Sequence, residues 1–115
     1  MTILSKNLIG LAATLSLLGA GTVAADCSAQ RCVGQIEVLY VNSHKSYVNI
    51  GTDGDEYRLA CAPTEGRFIR LYPNQALFDQ VFSLLLAAQL SGTEVNVRVN
   101  TDGTECRVLY VLRDG

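Results

Sequence analysis

The sequence predicts a small domain that is mainly β with one helix, and three observations carry that prediction. Segments of period-two alternation recur between turn signals, a single stretch of good helix formers interrupts them, and four cysteines are present to staple the result. Alternation puts successive side chains on opposite faces of a strand, so one face can be buried while the other stays wet.

The chain has 115 residues. Its first 25, MTILSKNLIGLAATLSLLGAGTVAA, combine Lys6, an apolar run from Leu8 to Leu18 and a small-residue end at Val23-Ala24-Ala25. That is the three-part pattern of a secretory signal peptide cut before Asp26. A retained anchor needs about 20 continuous apolar residues, and Gly19, Gly21 and Thr22 interrupt this run. Residues 26–115 then make one domain, periplasmic or secreted, with no membrane span after cleavage.

Nine basic residues less Lys6 leave eight against eleven acidic ones in residues 26–115. A net charge near −3 disfavours nucleic acid, whose phosphates call for a basic stripe. Cys27, Cys32, Cys61 and Cys106 all follow the cleavage site, and an even count in a small exported chain reads as disulfides. No C-x2-C pair is present and His44 is the only histidine, so no metal is expected. Of the three connectivities, Cys27–Cys32 with Cys61–Cys106 is favoured.

Along the domain, VGQIEVLYV (33–41) alternates with Ile36, Val38 and Tyr40 on one face. NSHKS (42–46) supplies a turn, YVNIG (47–51) a second strand, and the Asp53-Gly54 turn leads into YRLAC (57–61) as a third. The segment 62–74, broken by Pro63 and Gly66, reads as a short extended stretch. A helix spans Ala76 to Leu90, with Asn74 as its N-cap and Gly92 just past its end. Stepping 100° per residue gathers Leu77, Phe78, Val81, Leu84, Leu85 and Ala88 in one arc with Phe82 at its edge, while Leu86 and Leu90 fall among polar residues. EVNVRVN (94–100) directs Val95, Val97 and Val99 inward. After the 101–104 turn, Cys106, Val108, Tyr110 and Leu112 are expected inward too.

The order strand, strand, strand, helix, strand, strand is that of an OB-like five-stranded Greek-key barrel with a helix closing one end. An α+β sheet with the helix packed across one face is the alternative. The run from Gly34 to Leu112, with GQIEVLYVNS, YRLACAP, FSLLLAAQLSG and VNVRVNTDGTECRVLYVL, resembles a group of small exported bacterial proteins of largely unknown role. The combination of signal peptide, disulfides and OB-like plan is also similar to the B subunits of AB5 toxins of the subtilase-cytotoxin and pertussis-like type. That resemblance implies a ring of five subunits, a helix from each facing the pore, and outer surfaces that bind host glycans.

No G-x-S-x-G elbow and no phosphate-binding glycine loop occurs, and the cysteines are committed to disulfides. His44 reads as a turn residue, and Asp53, Asp55 and Glu56 lack the further oxygen ligands of a calcium loop. The expectation is therefore a non-enzymatic binding module without a cofactor. An OB-like fold binds on the face of its second and third strands, which nominates Tyr47, Asn49, Tyr57 and Arg58 beside the His44–Lys45 turn. Tyrosine rings can stack on sugars while Asn and Arg hydrogen-bond, which suits a glycan. Phe82, Leu86 and Leu90 are the candidate interface of a homo-oligomer. The alternative function is a monomeric periplasmic structural or inhibitory protein with a protein partner.

Overall fold

The computed structural model describes residues 25–113, so the expected signal peptide lies outside the described residues but for Ala25. Seven strands form one curled mixed sheet: β1 (Asp26–Cys27), β2 (Arg31–Gly34), β3 (Ile36–Asn42), β4 (Tyr47–Thr52), β5 (Ile69–Leu71), β6 (Val95–Asn100) and β7 (Arg107–Leu112). The helix α1 (Phe78–Ser91) stands between β5 and β6. Spatial order is β1-β2-β6-β7-β5-β4-β3, antiparallel throughout except for β5 beside β7. Only Gln35 separates β2 from β3 in the chain, although they lie toward opposite ends of that order. Such a connection requires the sheet to curl back toward itself into a half-barrel.

Gly34 sits at this bend, where the Asp53 carboxylate occupies the space a Cβ would need. Asp53 and Gln35 exchange two bonds there: the Gln35 N–H donates to Asp53 Oδ1 at 2.9 Å, and the Asp53 N–H to the Gln35 carbonyl at 3.1 Å. A glycine lets the β3–β4 end of the sheet dock closely against β2.

The core follows the alternation where the ladder is regular. Val95, Val97 and Val99 of β6 are all buried, as their pattern predicts. Val48 and Ile50 of β4 meet Leu71 and Ile69 of β5 in register, and Leu85 and Ala88 of α1 close over this layer. Burying a leucine such as Leu85 stabilises the fold by about 2 kcal/mol.

Two β-bulges overturn the alternation elsewhere. In β3 the register slips between Ile36 and Val38, so Ile36 and then Leu39 pack inward while Tyr40 is exposed. Ile36, Val38 and Tyr40, expected to share one face, are therefore divided: Ile36 is buried and Tyr40 exposed. In β7 the slip between Arg98 and Val99 pairs Val99 with Val108 but Val97 with Val111. Val108 and Val111 face the core, and Tyr110 and Leu112 turn outward with Leu109, contrary to the sequence expectation. One extra residue reverses every side chain beyond it.

The third strand also moves. Tyr57–Cys61 is not a strand, because Glu56 turns inward and accepts from the Thr52 N–H at 2.6 Å and the Thr52 hydroxyl at 2.7 Å. This closes a turn and winds Glu56–Arg58 into a 3-10 helix. β5 instead forms from Ile69–Leu71, inside the segment expected to be merely extended, after Glu65 and Gly66 reverse the chain with positive φ. The helix starts later than expected: Leu77 caps it with φ 57° and no side-chain bond, so Asn74 is not its N-cap. Leu77 itself is exposed rather than in the core arc. At the other end Gly92 ends the helix with φ 66°, and its N–H reaches the Ala88 and Gln89 carbonyls, as a C-terminal glycine should.

Both favoured disulfides are present, Cys27–Cys32 across the β1–β2 pair and Cys61–Cys106 between the 59–62 segment and the start of β7. They are compatible with an oxidising, extracytoplasmic compartment. Among the described residues no helix is long and apolar enough to cross a membrane.

Candidate functional site

Alternation in β5 sends Ile69 and Leu71 to the core and leaves Phe68, Arg70 and Tyr72 on the outer face. Cys106 is buried in its disulfide, which turns its neighbours Glu105 and Arg107 outward as well. Arg70 and Arg107 are register partners across the parallel β5–β7 pair, and Asn49 of β4 is opposite Arg70. Tyr47, two residues from Asn49, completes the group. Three strands thus bring two tyrosines, two arginines and one glutamate together.

The cluster is closely bonded. Arg70 Nη1 donates to Glu105 Oε1 at 2.6 Å, Arg107 Nε to Glu105 Oε2 at 3.1 Å, and the Tyr72 hydroxyl to the same carboxylate at 2.8 Å. The Arg70 guanidinium lies 4.0 Å from the centre of the Tyr47 ring, and that of Arg107 lies 4.4 Å from the Tyr72 ring. The two rings meet edge to face with centroids 6.0 Å apart. Cation–π contact and edge-on aromatic packing each add order of 1 kcal/mol in such settings.

Burial pushes the Glu105 carboxyl up, but hydrogen bonds from Tyr72, Arg107 and Arg70, with the Arg70 charge, hold it below the ordinary glutamate range. Burial works against the Arg70 charge in the same way, and the bonds to Tyr72 and Glu105 prevail and raise its pKa. Two cations against one anion leave the cluster with a net positive charge on a chain that is acidic overall. Beneath it, Asn49 Oδ1 and Arg70 Nε are buried and have no hydrogen-bond partner among the described residues. A groove of about 340 Å³, lined by Asn100, Gly103, Thr104, Glu105 and Arg107, adjoins the cluster at the β6–β7 turn.

The sequence candidates separate into two places. Tyr47 and Asn49 belong to this face, though Asn49 is only 1% exposed and lies under the arginine layer. Tyr57, 72% exposed, and Arg58 stand on the 3-10 turn, where Arg58 reaches Asp26 at 3.7 Å. His44 and Lys45 are on the exposed β3–β4 turn, where Asn42 Oδ1 accepts from the Lys45 N–H. On α1, Phe82 stacks on Phe78 and packs against the core, whereas Leu86 is partly and Leu90 79% exposed. The 62–74 segment does not bury Leu90.

Sequence reasoning missed Arg70, Tyr72, Glu105 and Arg107. Their signal was the alternation FIRLY, with Ile69 and Leu71 as the inward pair, and the placement of Glu105 and Arg107 either side of a buried cysteine. No known protein family, curated protein or solved structure matches the chain.

Proposed function

We propose that this protein is a non-catalytic, exported binding module of OB-like plan that recognises carbohydrate through the outer face of β4, β5 and β7. The observation that carries this reading is the Tyr47–Arg70–Tyr72–Arg107 stack tied by Glu105. Aromatic faces offer flat apolar surface to the CH side of a sugar ring, and the arginine edges and the Glu105 carboxylate offer hydrogen bonds to its hydroxyls. Because those groups hold one another in place, little side-chain entropy is lost on binding.

The finer OB reading draws on two features of the topology. β5 runs parallel to β7 while all other neighbours are antiparallel, and β2 with β3 acts as one bent strand that pairs with β6 through its first half and with β4 through its second. Setting aside the two-residue β1 and counting that bent strand once gives five strands with the helix between the third and fourth. In the manner of a toxin B subunit, the module would assemble through Phe82, Leu86 and Leu90, and exposure of the last two favours this reading.

Glycan-array binding by the disulfide-bonded protein tests the proposal. Tyr47→Ala should weaken retention about tenfold, the loss of one stacking contact plus its arginine partner. Equal retention by the variant and the parent would place the ligand elsewhere, and no retention of either would remove the carbohydrate reading. The mass in solution tests the assembly: a ring is several-fold heavier than a single chain, and Leu90→Asp should dissociate it. A single-chain mass together with silence on the array would favour the second reading, a monomeric periplasmic protein with a protein partner.

A further inference from the structure

Arg31 of β2 and Arg98 of β6 are direct cross-strand partners. Their chain neighbours Cys32 and Val97 are buried, so both arginines point outward on the same face. Like charges directly opposed across a strand pair are destabilising. Among the described residues neither makes an ion pair, whereas Arg58, Arg67, Arg70 and Arg107 each do. Arg98 donates instead to a neutral acceptor, Gln30 Oε1, at 2.6 Å.

A groove of about 310 Å³ lies on the pair, lined by Ser28, Ala29, Gln30, Arg31 and Arg98. Its rim is held from three sides. The Cys27–Cys32 disulfide closes the turn, and the Ser28 N–H donates to the Arg31 carbonyl at 2.9 Å. The carbonyls of Ala29 and Gln30 accept from the Ala60 and Val99 N–H groups at 2.8 and 2.9 Å. With the Ala29, Gln30 and Arg31 carbonyls engaged by the fold and Gln30 Oε1 by Arg98, the turn presents mainly donors: the Ser28 hydroxyl, the Gln30 amide N–H groups and the guanidinium groups of Arg31 and Arg98. A second groove of about 170 Å³ shares Gln30 and Arg98 and runs on past Asn100 to Leu109.

We propose that the disulfide-closed turn and Arg98 form a second ligand site, one that binds a phosphate or sulfate group. A single guanidinium fork already satisfies a carboxylate. Two forks on neighbouring strands, with a hydroxyl beside them, match the three or more oxygens of a tetrahedral oxyanion. The continuing groove would hold the body that carries it. This site is separate from the tyrosine–arginine face and does not rest on the carbohydrate reading.

The native, disulfide-bonded protein titrated with inorganic phosphate and with sulfate at constant ionic strength, followed through the Nε–H resonances of Arg31 and Arg98, tests the proposal. Saturable shifts of both resonances are expected. Arg98→Gln should weaken binding about tenfold or more. Arg113→Gln, which removes the same charge from the exposed residue that follows β7, should leave it unchanged. Shifts that do not saturate, or that saturate equally in Arg98→Gln, overturn the site. Arg31→Gln supplies a second reading should Arg98→Gln fold poorly. Vesicles of phosphatidylcholine with and without phosphatidic acid distinguish the source: cosedimentation with the acidic vesicles assigns the group to a lipid headgroup, and phosphate binding without cosedimentation assigns it to a soluble ligand.

Discussion

Arg70 and Arg107 are neighbours on β5 and β7, and Arg31 and Arg98 are neighbours on β2 and β6, yet the two pairs are held in opposite ways. The first pair shares the Glu105 carboxylate and covers two tyrosine rings. Among the described residues the second has no carboxylate within ion-pair distance and leans on the Gln30 amide. Each lies beside a disulfide: Cys61–Cys106 places Glu105 and Arg107, and Cys27–Cys32 closes the turn that carries Arg31. The contrast shows how one structural device serves two ends. Where the fold supplies its own anion, paired arginines tie strands together; where it does not, they remain a charge the fold tolerates rather than needs.

The largest test of that contrast compares the disulfides. Cys61→Ser with Cys106→Ser frees a loop spanning a sequence separation of 45 and should cost roughly 3 to 4 kcal/mol. Cys27→Ser with Cys32→Ser, at a separation of 5, should cost about 2 kcal/mol. Denaturant midpoints measure both, and equal losses would mean that the short bridge supports more of the fold than its own turn.

Next is Glu105→Gln. It leaves Arg70 and Arg107 side by side without their anion, and the expected loss at pH 7 is about 1 to 2 kcal/mol, since solvent still reaches the group. The acid dependence follows from the depressed Glu105 pKa. Its contribution is complete above the unfolded glutamate value of about 4.3 and is lost as pH falls through the lower folded value. The gap between parent and variant should therefore narrow as pH is lowered from 7 through 4 and below. A gap that stays constant with pH would mean the carboxylate charge contributes nothing.

The smallest effect has the opposite sign. Arg31→Gln removes a like-charge opposition and should stabilise the fold by a few tenths of a kcal/mol, while weakening the response to phosphate. Thermal melts at low ionic strength measure the gain. Destabilisation instead would mean that Arg31 already has a partner inside the fold.

How far the sequence could be read depended on how regular the ladder is. β6 was fully legible because Val95, Val97 and Val99 alternate along an unbroken strand. The cysteine pairing was legible because few connectivities exist, and Gly92 marked the helix end. Tyr110, Leu112 and Tyr40 were misplaced because each lies beyond a bulge, and a bulge leaves no mark in hydrophobic period. The third strand was misplaced because a buried carboxylate, Glu56 on Thr52, outweighed the strand propensity of YRLAC. Of the candidate face, Tyr47 and Asn49 were named from the binding face that an OB-like strand order implies. Arg70, Tyr72, Glu105 and Arg107 were not, since they come from segments more than 20 residues apart from Tyr47 or from one another.

By itself the sequence determined what local physics can determine: a mainly β chain with one helix, turn residues where turns occur, and cysteines suited to two bridges. Tertiary structure decided which arginines acquire an anion and which do not. A residue's period says which face of a strand it occupies, but its electrostatic partner is chosen by strand order and register. Those are settled only when the whole sheet closes on its core.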